Sequence, residues 1–416
     1  MNTSARGLLE GIRVVDCGTG MAAAIAAKLL ADMGAEVVRF EPEGGDPFGA
    51  IYPAYAVWRR GARMGAAQDR AGALATADVC ILGGEDHPDL PPHADAASLA
   101  SEHPRLVVLE IRGGPAGTAY DGPSTELLAQ ARSGLVWEQV PDRPIVNAFE
   151  PASYGAAMQG VIGLLGALFE REGSGQGQVV FTSLVEGALM WIGTYWSDIE
   201  KPTPAAAFVI PRGVTPLIFR TRDGRHIHMA IGGAGSKYGF CQALGIDDPT
   251  VQPGDSGMPK PGAGPREFFG DCDLLERHVA QWDAADLLAR IWERGLPAEL
   301  VQEPGACWDE PQIARNGLIA TDADGTRHLG LPFAAAELGR GAGRRSGQGA
   351  RPLEGLRVVD FGAFVAGPLA AVPLADLGAD VIKVEAIQGD PNRSIFKSFA
   401  VANRSKKVIA LDLKSP

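Results

Sequence analysis

Along the first 200 residues, short apolar runs alternate with longer stretches of small and apolar residues. Residues 12–16 (IRVVD) form an apolar run that leads into a turn containing Gly18 and Gly20, as a buried parallel strand does. The Ala-rich stretch 21–33 has helical spacing, Gly34 closes it, and 36–41 (EVVRFE) reads as a second strand. This is a βαβ opening. Strand-like runs at 79–82 and 106–111 continue it, and 155–170 predicts a helix that is apolar nearly all round and therefore buried. After a turn at 173–178 (GSGQGQ), residues 179–196 predict a strand and another buried helix. The Pro-rich passage 201–216 separates a second region, in which 217–231 (LIFRTRDGRHIHMAI) reads as a hairpin turning at Asp223-Gly224. Amphipathic helices are expected near 239–244 and over 283–295.

The opening pattern then returns. Residues from Leu353 (LEGLRVVDFGAFVAGPLAAVPLADLGADVIKVE) repeat those from Leu9 at a constant offset, and about 26 of some 60 positions agree without a gap. The Gly- and Arg-rich segment 339–351 reads as a linker. The expectation is one full unit plus the start of a second, identical in plan, whose last strand-like run at IALDLKSP lacks the elements that should follow it.

Composition narrows the class. A 416-residue chain that is 46% hydrophobic can bury a large core. Its net charge of −12 argues against a nucleic-acid or membrane-surface partner, because a polyanion is repelled over most of the surface. No apolar run approaches the ~18 residues of a membrane span and the start, MNTSARGLLEG, lacks a signal-peptide core, so the expected location is cytoplasmic. Five scattered cysteines with no CxxC pair read as reduced thiols.

Three constellations carry candidate chemistry. Gly18-x-Gly20-x-x-Ala23 after a strand, with Glu41 about 20 residues on, matches the spacing of a dinucleotide fingerprint. The repeat weakens it, since Gly20 corresponds to Phe364. His226 and His228 alternate on the expected hairpin, but without a third ligand they read as solvated, and no metal is expected. Arg59, Arg60, Arg63 and Arg70 form a basic patch whose counterpart is Arg404, Lys406, Lys407 and Lys414, and two basic clusters in register favour an anion site over a solvated face.

With these residues in view, the chain resembles the class III CoA-transferase family, which includes formyl-CoA and carnitine CoA-transferases and the related α-methylacyl-CoA racemases. The second copy carries the resemblance most strongly, in LEGLRVVDFGAFVAGPLAAVPLADLGADVIKVE, then GDP, then NRSKKVIALDLKSP. In the first unit, GQGQ ahead of Ser183-Leu184, FRTRDGRHIHMAIG, RGLPAELVQ and DEPQIARNGL fall in family order. The resemblance implies a Rossmann-like large α/β domain over 8–200, a small α/β domain over 201–300, and a return segment over 301–335. The linker over 336–352 and the start of the second unit over 353–416 follow. It also implies an interlocked homodimer, or an intrachain pseudo-dimer of the two units. Coenzyme A would be a substrate and not a resident cofactor. CoA moves from an acyl-CoA to a small carboxylate through an aspartyl anhydride and thioester. CoA-contacting positions carried over from the family are Val365, Ala366, Gly367, Pro368, Leu411, Asp412 and Lys414, with Arg70 in the first unit.

The first unit departs from the family where function sits. Ser153, before Tyr154, stands where the family has its catalytic Asp, so no catalytic residue can be assigned there; Glu150 lies three residues early and out of register. Gly367-Pro368 is replaced by Ala23-Ala24, and the family's Asn-Phe-x-Pro-Gly loop by residues 83–87, GGEDH. The expectation is a CoA-transferase whose first unit is a catalytically silent half. The alternatives are an acyl-CoA racemase or isomerase of the same superfamily, or a non-catalytic scaffold half.

Overall fold

The structure, a computed structural model, describes residues 7–415 except 91, 116–122, 139–141, 197–199, 201–216, 256–269, 322–323, 331–350 and 395. The expected Pro-rich passage and most of the expected linker therefore lie outside the described residues. A six-stranded sheet is built from β1 (Arg13–Asp16), β2 (Glu36–Arg39), β3 (Ala62–Met64), β4 (Val79–Gly83), β5 (Val107–Arg112) and β6 (Val179–Ser183). Every pairing is parallel and the order is β3-β2-β1-β4-β5-β6. The chain starts at the centre, winds to one edge and returns, so its switch point lies between β1 and β4.

The helices of this layer are α1 (Gly20–Asp32), the short α2 (Phe48–Ile51), α3 (Tyr55–Trp58) and α4 (Arg70–Leu74), then α5 (Ala96–Glu102), α6 (Glu126–Ser133), α7 (Pro151–Ser174) and α8 (Leu184–Trp196). Small residues let these helices lie close. A Cβ added at Gly187 would sit 2.1 Å from the Ala152 carbonyl oxygen, and one at Gly155 would sit 2.2 Å from that of Gly187. The α7–α8 crossing is thus backbone on backbone.

Helix α7 begins four residues before the predicted 155, because Pro151 suits a first helical turn and Glu150 precedes it at φ 52°. It also runs into the predicted turn, ending only at Gly175 in the left-handed region. At 24 residues it is long enough and on average apolar enough to cross a membrane, although Ser153, Gln159 and Glu170 interrupt it and its uninterrupted apolar run is short, as expected. Most of its apolar side chains are instead buried in the main core with those of α1 and α8.

A second core surrounds the antiparallel sheet β7 (Ile218–Arg220), β8 (His226–Met229) and β9 (Ala298–Leu300). The predicted hairpin is there, with Gly224 at φ 82° in its turn. Its helices are α9 (Ser236–Leu244), α10 (Cys272–Val279) and α11 (Ala284–Trp292), of which α10 was not foreseen although Asp271 caps it. The short α12 (Pro311–Arg315) and the antiparallel pair β10 (Ile319–Thr321) and β11 (Arg327–Leu329) follow.

The sequence repeat is a structural repeat. β12 (Arg357–Asp360), β13 (Asp380–Glu385) and β14 (Lys407–Ala410) form a parallel sheet in that order, and Arg357 pairs with Asp380 as Arg13 pairs with Glu36. Between the strands lie α13 (Ala366–Asp376) and α14 (Phe396–Ala402). The segment docks on the first unit, where Phe169 of α7 packs against the cluster that includes Leu353, Ala371 and Ala375, and α14 lies against α8.

Candidate active site

A cleft of about 740 Å³ opens at the carboxyl ends of β1, β2, β4 and β5, against the switch point. Its lining includes Cys17, Thr19, Arg70, Glu85, His87 and Arg112. Arg70 is therefore the one member of the predicted first-unit basic patch that lines the cleft. Arg59 is instead ion-paired to Glu41 at 2.9 Å, and Arg63 lies on edge strand β3. To the cleft lining the patch contributes Arg70 alone.

Glu85 organises the inner wall. Gly83 and Gly84, at φ 73° and 122°, turn the chain sharply after β4 and drive the Glu85 side chain beneath the start of α1. Its carboxylate accepts the Met21 N–H (3.2 Å), the Tyr52 hydroxyl (2.8 Å) and the Glu126 N–H (3.1 Å). A Cβ on Gly20 would come within 2.7 Å of that carboxylate, so Gly20 is a glycine for Glu85's sake. Burial, opposed by these donors, pushes the Glu85 carboxyl above its ordinary range. Burial and then the charge of Glu85 raise the Tyr52 hydroxyl.

This disposes of the dinucleotide reading. The N-terminus of α1, where a pyrophosphate would sit, already holds a protein carboxylate. Glu41, the acid that would take a ribose hydroxyl, is bonded to Arg59 and Arg39. Gly18 serves packing, because a Cβ there would strike that of Ala23.

A second buried carboxylate closes the position that the resemblance singled out. Glu126 opens α6 and reaches to the start of α7, where Oε1 accepts the Ala152 N–H (3.1 Å) and Oε2 accepts the Ser153 N–H (2.7 Å). The Ser153 hydroxyl donates to the same Oε2 at 2.6 Å, and Gln130 donates to Oε1 at 2.8 Å. Ser153 is 0% exposed. A hydroxyl donating to a carboxylate is the geometry of an activated nucleophile, but this one faces no solvent, and the Ala152 and Ser153 amides that an oxyanion would need are both taken. Glu150 does not swing in; it stands at the start of α7, its carboxyl raised first by burial and then by the charge of Glu126.

Tyr154 packs edge-on against Trp58, which also meets Tyr52 and Tyr55 edge-on. Beneath them Arg39 is buried, bonding Asp16 (2.6 Å), Asp46 (2.5 Å) and the Tyr55 hydroxyl. In the second unit two lysines share that work. Lys383 pairs with Asp390 (3.0 Å) and Lys406 with Asp360 (2.9 Å). Arg404 and Lys407 are likewise paired, to Asp376 and Asp380, so three of the four cations in the second cluster are spent on structure.

The other predicted positions fall at the carboxyl edge of the β12–β14 sheet. Val365, Ala366, Gly367 and Pro368 start α13, and Leu411, Asp412 and Lys414 follow β14, with Asp412 accepting the Lys414 N–H at 3.0 Å. His226 and His228 are exposed on β8, and among the described residues no group of His, Cys, Asp and Glu could hold a metal ion. Sequence reading missed Glu85, Glu126 and Arg39. It also missed Cys17, whose thiol is held low by Cys80 on the next strand, while that contact and burial push Cys80 up. Only the Glu in GGEDH and the Glu heading the 126–133 helix were visible hints.

The sequence matches CoA-transferase family III over residues 9–68, 74–347 and 353–416, and the chain belongs to that family. Among named relatives, succinyl-CoA:mesaconate CoA-transferase of Haloarcula hispanica is 27% identical over 352 residues, covering 76% of this chain and 86% of the relative. Probable CoA-transferase Rv1866 of Mycobacterium tuberculosis is 26% identical over 454 residues; the match covers 94% of this chain but only 56% of that protein's length. The solved structure of a CAIB/BAIF family protein from Brucella suis superposes with a TM-score of 0.63 at 22% identity, over 80% of this chain and 94% of that one, and so shares the fold.

Proposed function

We propose that this chain is the opening part of a two-unit CoA-transferase in which the first unit is catalytically silent and the second unit bears the acyl-CoA chemistry. The reaction moves CoA from an acyl-CoA to a small carboxylate through an aspartyl anhydride and thioester, in the cytoplasm and with no resident cofactor. The observation that carries the silent half is the occupied start of α7. Ser153 stands at the family Asp position, is closed off from solvent, and gives its hydroxyl and amide to Glu126. A serine so placed cannot form an anhydride, and no free N–H remains there to receive an oxyanion.

Family membership supports acyl-CoA and carboxylate substrates, and the name of the Haloarcula relative makes succinyl-CoA the first donor to try. The second unit supports the rest of the reading through its intact Ala366-Gly367-Pro368 segment and through Lys414, where the first unit keeps only Arg70. The two units would stand to each other as the two chains of an interlocked dimer, with 301–335 returning to the large domain.

The test is turnover. Incubated with succinyl-CoA or acetyl-CoA and a panel of dicarboxylates and hydroxy acids, the chain is expected to show no CoA transfer above background, and Ser153→Ala to change nothing. Transfer that disappears in Ser153→Ala would overturn the silent-half reading.

A further inference from the structure

We infer that Cys17 is a modification site of the first unit, a cleft-lining thiol paired with buried Cys80 that exchanges with a low-molecular-weight disulfide carrying an anionic group. The inference goes beyond the acyl-CoA reading and does not depend on it. Cys17 directly follows β1, and Val15 of β1 pairs with Cys80 of β4, so the two cysteines are offset by two residues on neighbouring strands. That offset keeps them on one face of the sheet, and both line the same cleft. Cys80 is 0% exposed, whereas Cys17 is half-buried and so is the thiol a ligand can reach. In the repeat Cys17 corresponds to Phe361, so the thiol belongs to the first unit alone.

A thiol reacts as its thiolate, and the surroundings of Cys17 favour that form. The Cys80 S–H donates to the Cys17 sulfur and, with the charges of Arg70 and Arg39, outweighs burial and the charge of Asp16. The remaining charges of the cleft are largely spent. Glu41 is bonded to Arg59, Asp86 accepts the Ser124 N–H at 2.6 Å, and Glu85 is enclosed by its own donors. Arg112 is forked onto Glu110. Arg70, at the head of α4, enters no salt bridge among the described residues, and is the arginine left to receive a ligand's carboxylate or phosphate.

In the exchange the Cys17 sulfur attacks one sulfur of the incoming disulfide. A new S–S bond forms at Cys17, the old S–S bond breaks, and the other half leaves as a thiolate that takes up the proton Cys17 has lost. Cys17 is thereby oxidised to a mixed disulfide and the departing half is reduced. Cys80 does not displace the adduct. Strands ~4.8 Å apart that rise ~3.3 Å per residue put Cα atoms offset by two residues about 8 Å apart, beyond the ~7 Å that a disulfide spans. The adduct therefore stays in the cleft.

The experiment uses the full chain carrying Cys307→Ser, which removes an exposed competing thiol, with Cys17→Ser, Cys80→Ala and Arg70→Gln added singly. Each protein is incubated with glutathione disulfide, or with the uncharged hydroxyethyl disulfide, and read by peptide mass spectrometry. Glutathione is expected on Cys17, with Cys80 recovered as a free thiol, and Cys17→Ser should abolish that adduct. Cys80→Ala should move the midpoint of the rate–pH profile upward and slow exchange at neutral pH about threefold for a tenfold loss of thiolate, because the remaining thiolate is the better nucleophile. Arg70→Gln should slow exchange with glutathione disulfide about fivefold and with hydroxyethyl disulfide much less. The proposal is overturned if Cys17 exchanges no faster than in the urea-unfolded chain, or if a Cys17–Cys80 disulfide appears in place of the adduct. An unchanged rate and midpoint in Cys80→Ala, or equal effects of Arg70→Gln on the two disulfides, would also sink it. No CoA transfer is read, so a failure of the acyl-CoA reading leaves these outcomes standing.

Discussion

Glu85 and Glu126 place protein carboxylates at the N-termini of three helices, α1, α6 and α7, where backbone N–H groups and the helix dipole favour negative charge. Truncating Glu85 to Ala strands two amides and a tyrosine hydroxyl in a buried site, and the expected loss is about 3 kcal/mol in denaturant unfolding. Its pH dependence has a definite sign. The folded carboxyl is raised above its ordinary 4.5, chiefly by burial, so folding favours its protonated form. That contribution is fully present below 4.5 and fades as pH rises through the folded value, so wild type should gain stability relative to Glu85→Gln as pH falls from neutral. A difference between the two that stays flat with pH would refute this. Ser153→Ala loses one charge-assisted bond, an expected cost of about 1–2 kcal/mol. None of this was legible in the chain, because Glu85 lies 64 residues from Met21 and Glu126 27 from Ser153. Ser153 itself was legible, as a wrong residue in a recognisable place.

At the scale of elements, hydrophobic spacing and the repeat gave the strands and helices of the main sheet, often within a residue or two. It missed where Pro151 and Gly175 bound α7, since caps are set by single residues and not by periodicity. Helix α10 went unseen because it spans only eight residues and follows a Gly- and Pro-rich stretch. The repeat also exposes a substitution of one ionic knot by another. Arg39 forks to Asp16 and Asp46, whereas Lys383 and Lys406 serve Asp390 and Asp360 separately, and Ala62 stands where Lys406 does. Arg39→Lys should then leave one buried aspartate unpaired and cost about 3 kcal/mol. Adding Ala62→Lys should recover at least half of that loss, and a double mutant no more stable than the single would sink the equivalence. Gly187→Ala tests the α7–α8 crossing, where the added methyl meets the Ala152 carbonyl; a loss of about 2–3 kcal/mol is expected in the same unfolding measurement.

Across the whole molecule, the repeat supplies its own control for what each unit buries. Val15 and Val359 occupy the same place in identical RVVD strands, yet Val15 is 2% exposed and Val359 52%. The difference is the neighbour: β1 has β4 on its open side, and among the described residues β12 has no strand on its own. Within residues 353–416, three strands and two helices bury little apolar surface among themselves, and docking against α7 and α8 adds to it. Phe169 is the first-unit side chain packed against the cluster of Leu353, Ala371, Ala375, Ala379 and Val381, and a Cβ on Gly166, one turn earlier, would touch Leu377. Phe169→Asp buries a charge in this seam and should release the segment while the six-stranded sheet, whose core lies on other faces of α7, stays folded. Limited proteolysis reads the outcome: 353–416 should be digested well ahead of the first unit in the variant and along with it in wild type. Equal protection in both would mean that the second unit's opening holds its fold by its own contacts, and the silent half would then not be its scaffold.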